Sequence, residues 1–396
     1  MEKYNFKRLV LKDKVLFLFF FFLFVNFFSY VTATTRGTTL IPIRIGILVI
    51  LLVLLFRDKL QNQTIDAISN KYLAFFLFSF SLSFVVNFGF SDAFFFFSVF
   101  IAVIVFSFFI DYLYRHYPTY SDKILLDIIF FALLFFPLIL LFHPRAIRLN
   151  LYGSNEIESF GLKSRYLGWS CAVIYGILLY QFRQKKAVWW KKVFIVIVFF
   201  FIIISGSRSS LLGVCVVTIL YFIHVKSKAQ YFLIGGVGIL FIALLFSKQI
   251  ESYSNLVSFQ QREDAKEMGV SHDTYREDVL QDALKMSWNN FGNLVFGFGP
   301  GKFRQSLSKN IEKYKYNELS SHNTYLEVFI TSGLLCFIAF LFLYLIVPLK
   351  RFFNRKQELL YVFIPIILIA ATEDNFGLGQ FLFVIFSLLA FYSFKL

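Results

Sequence analysis

The chain is poor in cysteine, with three among 396 residues. Cys171, Cys215 and Cys336 fall in separate apolar runs, so they offer neither a disulfide framework nor the close pairing of a metal site. Small buried apolar positions are the role to expect of them. Charge is also sparse: Asp, Glu, Lys and Arg make up 16% of residues, and they gather at the ends of apolar runs. Charged or broken helices at mid-membrane and a repeat relating two halves would mark a secondary transporter, and no such repeat is evident. No glycine-rich stretch carries the Lys-Ser/Thr ending of a nucleotide-binding loop.

What abounds is hydrocarbon. Hydrophobic residues make up 58% of the chain and 58 residues are Phe, a composition that reads as an all-α polytopic membrane protein. Runs such as Phe19–Phe22, Phe94–Phe97 and Phe199–Phe201 read as lipid-facing helix surface, where bulk apolarity suffices. Apolar stretches of bilayer-spanning length are expected near 15–31, 40–56, 72–90, 93–112, 124–142, 161–182, 188–205, 209–224, 231–247, 324–347, 359–373 and 376–394. That is about twelve transmembrane helices. The expected division is 1–247 with helices one to nine, 248–323 as one long extracytoplasmic loop folded as short helices, and 324–396 with the last three.

Orientation follows from the cations, because short cytoplasmic loops collect Lys and Arg. The groups Arg183, Lys185, Lys186, Lys191, Lys192 and Lys350, Arg351, Arg355, Lys356 put the N-terminus inside and the 248–323 loop outside. The net charge of +15 is then a topology signal at an anionic inner leaflet, and nucleic acid is not an expected partner. The basic start followed by an apolar run is expected to be an uncleaved first helix, because the run is long and Phe-rich. Arg44, inside the second span, is expected to snorkel outward.

Counting outward, the turn Gly206-Ser207-Arg208 shares a face with the long loop. An arginine at mid-membrane costs at least about 2.5–3.5 kcal/mol, so Arg208 belongs at the interface or in a wet cavity. Simple snorkelling is one reading. The other takes Gly206 as a tight bend and Ser207, Ser209 and Ser210 as hydroxyls at a helix N-terminus, a set suited to phosphate oxygens.

Within the loop, Ser271 or Asp273 could cap a helix with Tyr275, Val279, Ala283 and Met286 on one stripe, leaving Arg276 near its start. Glycines in Phe296-Gly297-Phe298-Gly299-Pro300-Gly301-Lys302-Phe303 permit a tight turn and close backbone approach. The stretch 302–316 reads as a solvated cap. Then comes Ser321-His322-Asn323-Thr324-Tyr325-Leu326-Glu327, where Asn323 or Thr324 could cap the helix entering at Tyr325. His322 is either an interfacial side chain or a proton acceptor, with Glu327 one turn along to orient it. His116 and His224 fall on the cytoplasmic side, while His143 and His272 face outward without comparable flanks.

In order and spacing, four motifs resemble the O-antigen ligase and polymerase superfamily of bacterial envelope glycosyltransferases. They are Gly206-Ser207-Arg208-Ser209, Arg276 opening the loop helix, Gly297-x-Gly299-x-Gly301-x-Phe303, and Ser321-His322-Asn323-x-Tyr325-Leu326-Glu327 followed by Gly333. The resemblance covers roughly 190–350. It implies a multi-pass protein of the bacterial inner (plasma) membrane that transfers a glycan, without metal or other cofactor, from an undecaprenyl-diphosphate carrier. The recipient is an acceptor hydroxyl at the periplasmic face. Carried over by position, Arg208 and Arg276 would grip the diphosphate and His322 would take the acceptor's proton. Ser207, Ser209, Asn323, Tyr325 and Glu327 would line the substrate site. Two arginines can hold a developing diphosphate charge bidentately in place of a metal.

One departure lies upstream. Gly161-Leu162-Lys163-Ser164-Arg165-Tyr166-Leu167-Gly168 lacks the aromatic-Gly and Pro-Asn pattern common in relatives but keeps two cations, Lys163 and Arg165, as further substrate-binding candidates. Arg145 and Gly161, like Arg276 and Gly292, are separated by fifteen residues, a pairing that resembles a pattern described for polymerases. Repeat-unit polymerase is therefore preferred, with a chain-length regulator as an implied partner and a lipid-linked repeat as acceptor. Ligation to lipid A core is the alternative, and a polysaccharide flippase the more distant one.

Overall fold

The computed structural model describes residues 6–31, 40–61, 71–88, 90–134, 137, 164–184, 189–205, 207–225, 281–300, 323–372 and 381–396. Among these residues there is no strand. The helices are α1 (Phe6–Lys12), α2 (Lys14–Val31), α3 (Leu40–Gln61), α4 (Lys71–Val86), α5 (Phe90–His116), α6 (Ser121–Leu133), α7 (Ser164–Arg183), α8 (Trp189–Ile204) and α9 (Arg208–Val225). Two short helices, α10 (281–288) and α11 (Phe291–Phe296), precede α12 (Thr324–Arg355), α13 (Leu360–Ala370) and α14 (Phe381–Ser393). A helix stands at every expected span except 231–247, which lies outside the described residues.

By length and composition, Ala93–His116 and Thr324–Arg355, of 24 and 32 residues, are long and apolar enough to cross a membrane. Helix α12 is not uniform. A π-turn at Phe342–Ile346 precedes Pro348, whose missing N–H and ring crowding against the carbonyl four residues back favour such a widened turn.

The helices run up and down, so their ends form two layers of different chemistry. One layer is ionic. Asp13 caps α2 by accepting from the amides of Val15 (2.9 Å) and Leu16 (3.1 Å), and its other oxygen accepts from the Tyr112 and Tyr117 hydroxyls at 2.7 and 2.6 Å. Asp58 pairs with Arg115 at 2.9 Å and His116 at 3.0 Å, and Lys59 with Asp111 at 3.5 Å. Asp122 accepts from Tyr180 and from Lys356, both at 2.7 Å, joining the start of α6, the end of α7 and the break between α12 and α13. His224, at the end of α9, meets the Tyr361 hydroxyl at 2.6 Å. Both histidines expected at the cytoplasmic end thus belong to this ionic layer.

These contacts shift titrations. Burial alone would raise Asp122, but hydrogen bonds from Lys356 and Tyr180 outweigh it and leave the carboxyl below its ordinary range. Burial likewise opposes charge on Lys356, and the bond to Asp122 overrides it, so the ammonium is held above its ordinary range. Burial and the bond to Asp13 raise Tyr117.

The phenylalanine runs are not uniform lipid surface. Phe19 and Phe22, one turn apart, are buried, and Phe19 stacks on Phe109 with centroids 3.5 Å apart. Phe21 between them is exposed. In the second run Phe96 is buried against Phe84, at 4.2 Å, while Phe94 and Phe97 face out. Helical periodicity splits each run into a packed side and a free side. Arg44 also departs from expectation. It is 7% exposed and donates to the Asn26 carbonyl oxygen at 3.0 Å, so a neighbouring helix supplies the acceptor that keeps it inside. The three cysteines are buried and free, as expected.

Candidate functional site

The non-ionic layer contains the polar turn that opens α9. Ser207 precedes the helix, and its carbonyl accepts from the Leu211 amide at 3.1 Å. Its hydroxyl lies 2.8 Å from that of Ser210 and 3.4 Å from that of Ser209, while its amide donates to Ser205 Oγ at 3.3 Å. Helix α7 passes directly over this turn at Gly168, where a Cβ would collide with Ser205 Oγ and come within 2.6 Å of Ser207 Cβ. Only a glycine admits that approach. Arg165 stands one turn before Gly168 in α7, on the same helical face by register.

Asn323 opens α12. Its side-chain oxygen accepts from the amides of Tyr325 (3.0 Å) and Leu326 (3.1 Å), so of the two expected caps Asn323 is the one used. The Tyr325 hydroxyl donates to the Ile367 carbonyl at 3.5 Å. Two residues earlier on α13, Pro365 lies 3.0 Å from where a Cβ on Gly213 of α9 would be. Helix α13 therefore bridges α9 and α12 and holds their N-termini at the same end. Each N-terminus carries a fractional positive charge, which favours an anion placed there.

The glycine-rich turn is seated on α12. At Gly333 the helix breaks, with φ 79° and ψ 174°, a conformation open to glycine. The break frees carbonyls that an unbroken helix would use internally. Phe298 N–H donates to the Ile330 carbonyl at 3.0 Å and Gly299 N–H to that of Thr331 at 2.8 Å. Gly297 and Gly299 also have positive φ, 71° and 105°. From the other side, Ser83 Oγ donates to the Phe296 carbonyl at 2.6 Å, and Asn87 Nδ2 reaches it at 3.4 Å. Helix α10 completes the seat, with Ala283 packed on Phe329 and Ile330 and Met286 against the same cluster. The expected stripe is thus present at these two positions.

Of the expected site residues, Ser207, Ser209, Asn323, Tyr325 and Glu327 are described. Ser209 is buried and the other four are half-buried, and the Glu327 carbonyl accepts from Thr331 Oγ1 at 2.6 Å. Arg208 is the first residue of α9 and Arg165 lies in the first turn of α7; nothing is described of either side chain. His322, Arg276 and Lys163 lie outside the described residues, as does the 302–316 stretch. Sequence reasoning missed Ser83 and Asn87, although a polar pair spaced i, i+4 at the end of an apolar helix was a readable signal. It also took Gly168 as part of a departure rather than as a contact.

Among the described residues the protein is a bundle of apolar helices with one ionic end and one polar, glycine-seated end, and two of these helices are long and apolar enough to cross a membrane, the features of an integral membrane class. More specifically, residues 193–341 match the family model described as O-Antigen ligase, and this supports membership of the O-antigen ligase and polymerase superfamily. The matched segment includes the serine turn, the glycine motif, Asn323 and Gly333. The superfamily consists of inner-membrane proteins of glycosyltransferase type that handle lipid-linked polysaccharide. Comparison with curated proteins gives no match.

Proposed function

We propose that the chain is a membrane glycosyltransferase that moves a glycan from an undecaprenyl-diphosphate carrier to an acceptor hydroxyl at the outer face of the inner membrane. The observation carrying this reading is the joint placement of the first residue of α9, Arg208, and the cap of α12, Asn323, at one end of the bundle, within a segment that matches the family. In this reading Arg208 and Arg276 bind the diphosphate, and His322, the residue before the cap, accepts the proton of the attacking hydroxyl. Ser207, Ser209, Tyr325 and Glu327 contact substrate, and Lys163 and Arg165 add positive charge. Twelve membrane spans and the division at 248 and 323 belong to the same proposal.

The chemistry is direct displacement: the acceptor oxygen bonds to the anomeric carbon, the bond to the diphosphate oxygen breaks, and the proton passes to His322. Fixed cations stabilise the leaving diphosphate without a metal. The acceptor favoured is another lipid-linked repeat, on the paired Arg145/Gly161 and Arg276/Gly292 spacing, which would make the enzyme a polymerase served by a chain-length regulator.

Deleting the gene and resolving surface polysaccharide on a gel tests both levels. Core bearing a single repeat is the polymerase result. Bare core, with long chains left on the carrier, would instead assign ligation. Bare core with single lipid-linked units trapped on the inner face would replace the transferase reading with a flippase.

A further inference from the structure

The loop ahead of α12 need not stay above the membrane, and its contacts give its depth. Residues 328–349 carry no Asp, Glu, Lys or Arg, which is about 33 Å of helix at about 1.5 Å per residue. That matches a hydrocarbon layer of about 30 Å. The carbonyls of Ile330 and Thr331, which receive the amides of Phe298 and Gly299, lie inside this window, about 5 Å below Glu327 by the same rise. Helix α4 agrees from the opposite end. Ser83, which holds the Phe296 carbonyl, lies twelve residues beyond Lys71, about 18 Å along the helix, still short of the full apolar thickness.

A non-helical backbone at that depth must be hydrogen-bonded by protein, and this one is, at Phe296, Phe298 and Gly299. Beside it are two large apolar side chains that the protein leaves mostly uncovered: Trp288 is 65% and Phe291 78% exposed. In water both would be unfavourable, whereas in the outer leaflet they contact acyl chains and head groups.

We propose that the segment 288–299 is re-entrant, dipping into the outer half of the bilayer, with Trp288 and Phe291 in contact with lipid. The inference rests on the membrane-spanning reading of α4 and α12. It makes the floor of the candidate site a membrane-embedded turn rather than a solvated loop.

Nitroxide labels at Phe291→Cys and, in a second variant, Trp288→Cys test this in the full chain reconstituted in phosphatidylethanolamine–phosphatidylglycerol vesicles. Wild-type protein, whose three cysteines are buried, is the labelling control. Phe78→Cys, at an exposed position midway along α4, is the lipid reference. Collision with oxygen and with a water-soluble nickel chelate is read at each site. The expected result is oxygen-dominated relaxation at 291 like that at 78, with a several-fold loss of nickel collisions relative to label free in buffer. A water-like signal at 291 beside a lipid-like one at 78 would overturn re-entrance. A water-like signal at 78 would remove the spanning reading and re-entrance with it.

Discussion

Gly333 and Gly297 face each other so closely that a Cβ on Gly333 would come within 2.5 Å of the Gly297 amide nitrogen, and one on Gly297 within 2.6 Å of the Gly333 nitrogen. Both also have positive φ. The broken helix and the turn seated on it are one unit, made possible by two missing side chains.

Gly333→Ala and Gly297→Ala should therefore each destabilise. Strain at such a φ costs about 1–3 kcal/mol, and the backbone clash adds to it. Thermal unfolding in detergent should fall for both and show non-additivity in the double variant, because one contact is lost twice. Gly46→Ala, where a Cβ meets nothing within 4 Å, should be neutral or slightly stabilising.

Ser83 holds the same turn from α4. Ser83→Ala removes the donor to the Phe296 carbonyl, a loss of about 0.5–1.5 kcal/mol, tempered by Asn87 at 3.4 Å. Ser83→Thr keeps the hydroxyl but adds a methyl at a fully buried position, so it should keep the turn protected while losing some global stability to overpacking. Limited proteolysis across 281–300 reads the difference, with Ala cut faster and Thr not.

The Asp122–Lys356 pair ties α6 to the α12–α13 break, and its pH dependence has a defined sign. The ordinary Asp value is 3.8 and the folded value is lower, so this stabilisation is present above 3.8 and lost as pH falls through the folded pKa. Lys356 is raised from 10.5, so its share is present below 10.5 and lost as pH rises through the folded pKa. Between these limits Lys356→Met should lower stability by about 1 kcal/mol or less, the range for part-exposed pairs. The gap from wild type should close in strong acid. A constant gap across an unfolding series from pH 3 to 7 would contradict the assignment.

At the serine turn, Gly168→Leu should disturb the opening of α9 without touching the ionic layer. Transfer activity should fall with little change at Asp122 and Lys356, and Gly168→Ala should be the milder variant because its side chain ends at Cβ.

Much of this was legible in the sequence, for separable reasons. Hydrophobic run length located the helices, and the Asn323 cap and the Ala283–Met286 stripe were readable because both are local patterns. Arg44 was misjudged because its acceptor, Asn26, sits on another helix. The phenylalanine runs were misjudged because composition does not say which side of a helix packs. The seating of Phe298 and Gly299 on Ile330 and Thr331 was out of reach, since it depends on a helix break whose partner lies over thirty residues away in the chain.

The central claim is best tested by turnover of the purified protein on undecaprenyl-diphosphate-linked oligosaccharide, comparing wild type with His322→Ala while measuring donor binding in parallel. A lost general base predicts a turnover lower by about 10²–10⁴ with donor affinity retained. Stably folded His322→Ala that transfers glycan at the wild-type rate would contradict the account.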